Sequence, residues 1–205
     1  MTELFLSALV TFLVVIDPPG CAPIFASVTR NADARHRRAM AFRSVAIATG
    51  ILLFFALLGE DLLRHLGVSL SAFRVAGGIL LFLIAIDMVF EKRTERRENR
   101  AEEVNSRNVE DVSVFPMAIP MIAGPGSIAS VMLLVARSEG TTETLVVLGA
   151  LALTLLLTLL CLLLAGPLMR LLGDKVEAMI TRLLGVILAA LAAQFVIDGL
   201  ERSFT

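Results

Sequence analysis

The sequence predicts an all-α membrane protein: six transmembrane helices form an inverted-topology 3+3 repeat, with spans 1 and 4 broken at Pro-Gly motifs. Three observations lead to this fold class. Hydrophobic residues make up 57% of the 205 residues, and the mean hydropathy of +0.86 is far above that of a soluble domain. Six apolar segments are long enough to cross a bilayer. The two halves of the chain also match each other in sequence.

The predicted spans follow one another with short connections and one long charged linker. They lie near 4–28, 40–59, 71–90, 112–136, 144–166 and 179–200. The third and sixth are rich in Gly and Ala, which lets helix backbones approach closely and is compatible with a homo-oligomer. We therefore divide the chain into a first three-helix repeat at 1–90, a cytoplasmic charged linker at 91–111 and a second, inverted repeat at 112–205.

The distribution of positive charge predicts the orientation of the spans. Fourteen of the 18 Lys and Arg residues fall in loops 1, 3 and 5. By the positive-inside rule these loops are cytoplasmic, and both termini lie outside, on the periplasmic face. The start of the chain lacks the basic region and cleavage site of a signal peptide, so we expect the first span to be retained.

The linker at 91–111 is the one hydrophilic stretch of the chain. It mixes acidic and basic residues, and such blocks are typical of solvated connectors. We expect a tether between the halves that is helical at its start. The net charge of -1 gives no indication of nucleic-acid binding.

The two halves align at a nearly constant offset. Pro19-Gly20 matches Pro125-Gly126 at an offset of 106 residues, as 62–67 matches 168–173, and 74–80 matches 182–188 at 108. Because each half holds three spans, the second half must insert upside down relative to the first. The stretches at 62–67 and 168–173 are predicted to be short amphipathic segments at opposite membrane faces.

Two Pro-Gly motifs near mid-span carry the strongest functional signal. The sequence Asp-Pro-Pro-Gly occupies 17–20 in span 1, and Ala-Gly-Pro-Gly occupies 123–126 in span 4. Proline removes a backbone donor and glycine adds freedom, so both spans are predicted to break there. Breaks at corresponding places in two halves are typical of a transporter's binding site. The alternative is that the motifs only kink packed helices.

The predicted chemistry of the breaks suits a small amino acid. The half-helices that start after the breaks present backbone N–H groups to a carboxylate. The carbonyls of Ile16 and Ile122, before the breaks, are expected to accept from an ammonium group. The predicted substrate-binding residues are Asp17, Pro19, Gly20, Cys21, Ala123, Gly124, Pro125, Gly126 and Ser127.

Three charged residues are predicted to couple or gate transport. A carboxylate at mid-span costs about 2.5–3.5 kcal/mol, so Asp17 is expected to bind the substrate ammonium or to carry a coupling proton. The alternative is that Asp17 caps the new helix through the N–H of Gly20 or Cys21. We also expect Asp17 to pair with Arg74. Arg74 and Arg182, at the entrances of spans 3 and 6, are predicted gates, with snorkelling to the interface as the alternative.

These motifs resemble those of the MarC family of bacterial and archaeal membrane proteins. Residues 17–25 are similar to that family's first-span pattern, 120–128 to its fourth-span signature and 74–78 to its third-span Arg-x-x-Gly-Gly. The resemblance covers essentially the whole chain and implies six spans. In the family's small-neutral-amino-acid branch it implies transport of glycine and alanine. Asp17 stands where the family often has Asn, which adds an ionisable group.

The sequence therefore predicts a secondary transporter of small neutral amino acids, proton-coupled or coupled to another cation, in the inner membrane of a prokaryote. The alternatives are an exporter of another small metabolite and a non-transporting scaffold or stress protein. No enzymatic activity and no cofactor or metal is expected. His36 and His65 are predicted in loops on opposite sides, and neither a zinc-protease motif nor a phosphate-binding loop occurs.

Overall fold

The computed structural model of the chain describes residues 1–106 and 111–204, without the side chains at 104–106 and 169–177. Every element within these residues is helical. The helices are α1 (Thr2–Ile16), α2 (Pro18–Val28), α3 (Ala34–His65), α4 (Leu70–Val89), α5 (Lys92–Ser106), α6 (Pro125–Val135), α7 (Thr141–Leu163) and α8 (Ala165–Phe204). A ninth element, Ser113–Ile122, has wide helical turns interrupted by extended residues and contains two prolines; we call it the proline segment.

The predicted all-helical membrane architecture is confirmed. In the described part of the chain, five helices are long and apolar enough to cross a membrane. They are Thr2–Val28, which combines α1 and α2, together with Ala34–His65, Leu70–Val89, Thr141–Leu163 and Ala178–Phe204. The proline segment and α6 make a sixth span if the pair, bent by 52°, is counted as one.

Local capping explains where the second and third spans begin. The side chain of Asp33 accepts a hydrogen bond from the His36 N–H at 2.7 Å and starts α3. Ser69 does the same for the Ala72 N–H at 3.1 Å and starts α4. Both residues satisfy a backbone donor that the first turn of a helix leaves without a partner.

Helices α4 and α8 form the tightest pair in the molecule, and they run antiparallel. Gly199, late in α8, lies against Val75, early in α4, whereas Gly185 lies against Ala85 near the other end. A Cβ added at Gly78 would be 2.9 Å from the carbonyl oxygen of Ala192. The backbones therefore approach as closely as small residues at a membrane helix interface allow.

The interrupted spans occupy the centre of the bundle. Helices α1 and α2 pack against α7, and the proline segment and α6 pack against α3. Large side chains from these spans are fully buried, among them Phe12, Phe25, Met117 and Leu133. The interruptions consequently lie among protein side chains, where the freed backbone groups can be satisfied.

Two segments predicted to be separate from the spans are continuous with helices. Residues 62–67 were expected to form a short amphipathic segment, but α3 runs through to His65. Residues 168–173 belong to the unbroken 40-residue helix α8. These stretches are therefore end turns of longer helices and not separate short segments, because an amphipathic stretch is equally compatible with the end of a longer helix.

The predicted linker between the halves is helical at its start, as expected, but its described part is packed against the bundle instead of forming a solvated tether. Residues 92–106 form α5, which packs against α2, α4 and the proline segment. Ala101 is buried, and Arg97 is only 6% exposed. Residues 107–110 of the predicted linker, with the predicted loop cation Arg107, lie outside the described residues. The first part of the linker is therefore a packed element of the fold.

Candidate functional site

The first interruption is a single residue whose side chain caps the helix that follows. Asp17 separates α1 from α2 with a left-handed backbone (φ 57°, ψ 67°), a conformation that Asp tolerates better than most residues. Its Oδ1 accepts a hydrogen bond from the Gly20 N–H at 3.2 Å. Pro18 and Pro19 fill the first two positions of α2, where a helix needs no N–H donor. The capping interaction expected for Asp17 is therefore present.

The second interruption is wider and has no such side chain. The proline segment ends at Ile122, and α6 begins at Pro125 after Ala123 and Gly124. No side-chain cap is found at Gly124 among the described residues. A side chain at Gly124 would collide with the carbonyl oxygen of Pro120, so the tight turn requires glycine. The first turn of α6 thus keeps backbone N–H groups that lack an intrahelical acceptor.

A cavity of about 290 Å³ opens onto this second interruption. Its wall combines the end of α1, the end of α4, one face of α5 and the turn into α6. The lining residues are Val15, Leu80, Ile84, Asp87, Arg93, Arg96, Arg97, Arg100, Pro120, Met121, Gly124, Pro125, Gly126 and Ser127. We call it the arginine cavity, because four arginines line it.

The four arginines share one face of α5. They occupy positions 93, 96, 97 and 100, a spacing of three and four residues that repeats on one side of a helix. Arg96 and Arg100 are exposed, Arg93 is half-buried and Arg97 is buried. The cavity therefore leads from exposed cations at the protein surface to a buried one beside the first interruption.

Arg97 joins α5 to the first interruption through a buried ion pair. Its Nη1 donates to Asp17 Oδ2 at 2.7 Å, and the two side chains are 7% and 1% exposed. Its Nη2 lies 3.5 Å from the carbonyl oxygen of Ile16. The expected pairing of Asp17 with Arg74 is therefore wrong. Arg97 holds the carboxylate, and Arg74 lies 13 residues, or about 20 Å, along α4 from Asp87 in the cavity wall.

Arg93 enters the same region but contacts acceptors that carry no formal charge. Its Nη2 donates to the Val15 carbonyl at 2.6 Å, and its Nη1 lies 3.0 Å from the sulfur of Met88. Burial, together with the neighbouring charge of Arg97, lowers the pKa of Arg93 to about 10. Arg93 is therefore still a cation at neutral pH.

The remaining carboxylate in the wall is also paired. Asp87 Oδ1 accepts from Arg96 Nη2 at 2.7 Å, which ties the end of α4 to α5. The acidic residues of the α5 region lie elsewhere. Glu91, Glu95 and Glu98 line a second cavity of about 460 Å³ that also contains Gly20 and Arg97. Arg97 thus stands between a basic cavity and an acidic one.

The predicted substrate-binding residues divide between these two cavities. Gly124, Pro125, Gly126 and Ser127 line the arginine cavity, whereas Gly20 lines the acidic one. The other predicted residues, Asp17, Pro19, Cys21 and Ala123, form or adjoin the two interruptions without lining either cavity. The thiol of Cys21 lies 3.5 Å from the Ile16 carbonyl. The structure therefore places the two motifs on opposite sides of Arg97 rather than around one common space.

The predicted gates lie at opposite ends of the α4–α8 pair. Arg182 forms an ion pair with Glu91, and both side chains are about half exposed. Arg74 is 1% exposed and donates to the Ala136 carbonyl at 3.3 Å. In the described part of the chain its Nε finds no acceptor. Of the two predicted gates, Arg182 contacts a carboxylate in this conformation and Arg74 contacts a backbone carbonyl.

The arginine face of α5 is the part of the site that sequence reasoning missed. The linker was interpreted through its mixed charge, which suggested a solvated segment. The signal that identifies the face is periodicity: arginines at 93, 96, 97 and 100, with glutamates at 91, 95, 98 and 102 on other sides of the helix. A helix whose charges are segregated in this way presents two chemically different surfaces to its surroundings.

Comparisons with known proteins show that the chain is similar to a family of integral membrane proteins. A model described as "MarC family integral membrane protein" matches residues 2–204. The chain is 35% identical to a UPF0056 membrane protein of Methanocaldococcus jannaschii over 97% of both chains. It is 35% identical to the UPF0056 inner membrane protein YhgN of Escherichia coli K12, over 96% of this chain and 95% of that one. No solved structure matches the chain.

Proposed function

The chain belongs to the MarC family of integral membrane proteins, and from this we propose that it is a secondary transporter of a small carboxylate-bearing solute. The solute binds at the second interruption, in the arginine cavity. Small neutral amino acids such as glycine and alanine, which the sequence predicts, are the first substrates to test. The transporter lies in the inner membrane, with both termini outside and α5 on the cytoplasmic side.

The architecture that we propose for transport is an inverted repeat of three spans plus three. Packing of the interrupted spans supports it, since the first interrupted span packs on α7 as the second packs on α3. The glycines of α4 and α8 support it too. Gly78 faces the Ala192 carbonyl, and Gly185 faces the Ala85 carbonyl, so each helix presents a glycine to a carbonyl of the other. Such a relation between halves is the usual basis of alternating access.

The proposal rests mainly on one observation: the start of α6, which has no side-chain cap, borders the arginine cavity. At the start of α6, backbone N–H groups and the positive end of the helix dipole face a space lined by Gly126 and Ser127. A carboxylate is the chemical group that suits such an end. A volume of about 290 Å³ is near the lower end of the range for ligand pockets, so it suits a solute of few atoms.

Alternating access requires contacts that break when the protein changes conformation. The ion pairs Arg182–Glu91 and Arg96–Asp87 join elements on the α5 side of the bundle, and Arg137–Asp198 joins α8 to the end of α6 on the other side. We propose that these pairs open in turn as the halves rock. Asp17 couples the cycle to a proton, which it takes up when Arg97 withdraws.

The test is uptake of labelled glycine and alanine into tight proteoliposomes that contain the purified chain. We expect accumulation under an imposed inward proton gradient and its collapse on addition of a proton ionophore. Uptake that follows a sodium gradient instead would replace the proton as the coupling ion. An absence of uptake for every carboxylate-bearing solute offered would overturn the assignment as a transporter of this class.

The alternatives that the sequence leaves open make different predictions for the same vesicles. An exporter of another small metabolite should show counterflow of that solute but none of glycine. A scaffold needs no solute path, so it should tolerate Gly126→Leu, which fills the wall of the arginine cavity. A transporter should lose flux with this substitution, and the unfolding curve of the same variant in detergent separates a loss of flux from a loss of fold, because the new side chain also presses on Ile84 and Val15.

A further inference from the structure

We infer that the solute bound in the arginine cavity is a small carboxylate with a net negative charge, in preference to a zwitterion. This inference rests on the proposed function and narrows the substrate of the same site. It departs from the sequence-based expectation, in which a neutral amino acid offers a carboxylate to one interruption and an ammonium group to the other. The charges around the cavity carry the argument.

Positive charge exceeds negative charge in the cavity wall. Four arginines line the cavity, and the only lining carboxylate among the described residues is Asp87. Asp17 adds a second carboxylate behind Arg97, outside the wall. A bound anion would offset the excess, whereas a zwitterion would leave the overall charge unchanged and bring an ammonium group among guanidinium groups.

Both carboxylates near the cavity already accept from an arginine. Asp87 accepts from Arg96, and Asp17 accepts from Arg97 and from the Gly20 N–H. The Val15 carbonyl, next to the first interruption, accepts from Arg93 at 2.6 Å. The Ile16 carbonyl, which the sequence predicted as an ammonium acceptor, has Arg97 and the Cys21 thiol as neighbours. A substrate ammonium at Asp87 or at the Val15 carbonyl would have to share its acceptor with an arginine, and the two cations would repel each other.

The donors that a carboxylate needs converge on the cavity. Arg93 has only uncharged acceptors among its hydrogen bonds, so an anion would gain a charge-assisted bond from it. The start of α6 contributes backbone N–H groups from the opposite wall. The exposed Arg96 and Arg100 at the mouth raise the local concentration of anions, as a cluster of one sign does in a cleft.

Arginines also cluster at the far end of α6. Arg137 follows α6 directly, and its pKa is lowered by burial and by the charges of Arg74 and Arg202. Asp198 offsets one of these three cations. Both ends of α6 therefore lie beside arginines.

The decisive experiment compares solutes that differ only in the ammonium group. Lactate and alanine have the same skeleton, with a hydroxyl in place of the ammonium group, and glycolate and glycine form a second matched pair. Each unlabelled solute competes with labelled alanine or labelled lactate for uptake by the full chain in proteoliposomes, and inorganic phosphate serves as a third oxyanion. We expect lactate to compete at a concentration about tenfold lower than alanine, because the ammonium group of alanine would lie among guanidinium groups of the same charge.

Variants locate the effect in the cavity. Arg93→Gln and Arg100→Gln should remove the preference for lactate over alanine, whereas Lys92→Gln should keep it. Lys92 is the matched control because it carries the same charge on α5 but is exposed and lines none of the cavities described above. Arg100 is exposed, so its substitution should leave the fold intact even if Arg93→Gln does not assemble.

Each remaining outcome has a distinct meaning. Preference for alanine over lactate would overturn the inference and leave the proposed function standing. Preference for phosphate over lactate would overturn the assignment of a carboxylate. A preference for lactate that Arg100→Gln leaves unchanged would overturn the role of the arginine cavity. Uptake of none of these solutes would overturn the proposed function itself.

Discussion

The two interrupted spans differ in how the backbone groups freed at the interruption are satisfied. At the first interruption a single residue, Asp17, turns the chain, caps the next helix through the Gly20 N–H and is neutralised by Arg97. At the second, Ala123 and Gly124 turn the chain through a bend of 52°, and the described residues provide no side-chain cap. The first is closed by the protein's own groups, and the second is left open to a cavity.

This difference indicates where a solute can bind. Broken backbone inside a membrane must be satisfied by protein or by the contents of a cavity. At the first interruption the protein provides the partners, so a solute would have to compete with a buried ion pair. At the second, the start of α6 faces an open space, so a solute competes only with water. Two similar motifs therefore have unequal roles, one structural in this conformation and one available for binding.

The largest expected effect comes from opening the first interruption. Asp17→Ala leaves the buried charge of Arg97 without its carboxylate, and the loss of one partner of a buried pair costs about 3–5 kcal/mol. Asp17→Asn keeps an acceptor for the Gly20 N–H and should cost less. Thermal unfolding in detergent, followed by circular dichroism, measures both, since the chain has no Trp for fluorescence.

The double variant Asp17→Ala/Arg97→Ala tests the reason for this effect. If an unpaired buried charge is responsible, removal of both partners should be less harmful than removal of Asp17 alone. If the loss of stability in the double variant equals the sum of the losses in the two single variants, the pairing is contradicted. The first interruption would then lack a stabilising side-chain pair, as the second does.

A smaller effect is expected from filling the second interruption. A Cβ at Gly126 would lie 2.6 Å from Ile84 Cδ1 and 3.1 Å from Val15 Cγ1, so Gly126→Ala should cost about 1–3 kcal/mol and reduce uptake. Gly149→Ala is the control, because an added Cβ there meets nothing within 4 Å and should stabilise α7 by about 0.4–1 kcal/mol. Equal transport by both variants would show that the second interruption does not bind the solute.

The smallest effect is expected where the second interrupted span begins. Asp111 accepts from the Ser113 N–H at 2.8 Å and pairs with Arg43, and these contacts hold its pKa below the usual range. Because the folded-state pKa is lowered, this contribution to stability is present at neutral pH and disappears as the pH falls through the folded-state value. Both side chains of the pair are largely exposed, so Asp111→Asn should cost about 0–1 kcal/mol.

Parallel unfolding curves at neutral and acidic pH check this prediction. The wild type should be slightly more stable than Asp111→Asn at neutral pH, and the difference should vanish on acidification. A difference that grows as the pH falls would have the wrong sign and would reject the assigned role of Asp111.

The sequence predicted an all-helical membrane protein and the positions of its five or six candidate spans, because hydropathy and span length are local properties. The Pro-Gly motifs lie close to where α1 and the proline segment end, whereas the inverted repeat stays a prediction. The sequence-based prediction failed for Asp17, whose partner was taken to be Arg74. Partner choice depends on which helix lies nearby in space, and hydropathy made α5 look like a solvated tether. The arginine cavity was missed for the same reason, because its walls come from α1, α4, α5 and the turn into α6, which meet only in the folded chain.

The burial of α5 has a practical consequence for anyone who modifies this protein. Hydrophilic loops are the usual places to insert an epitope, a fluorescent domain or a protease site, and hydropathy would direct such an insertion to residues 91–106. A graft there would withdraw Arg93 and Arg97 from the interior and leave Asp17 without its buried partner, although it would touch no span. The turn at Gly140, where an added Cβ meets nothing within 4 Å, is the position at which a foreign segment should be accepted.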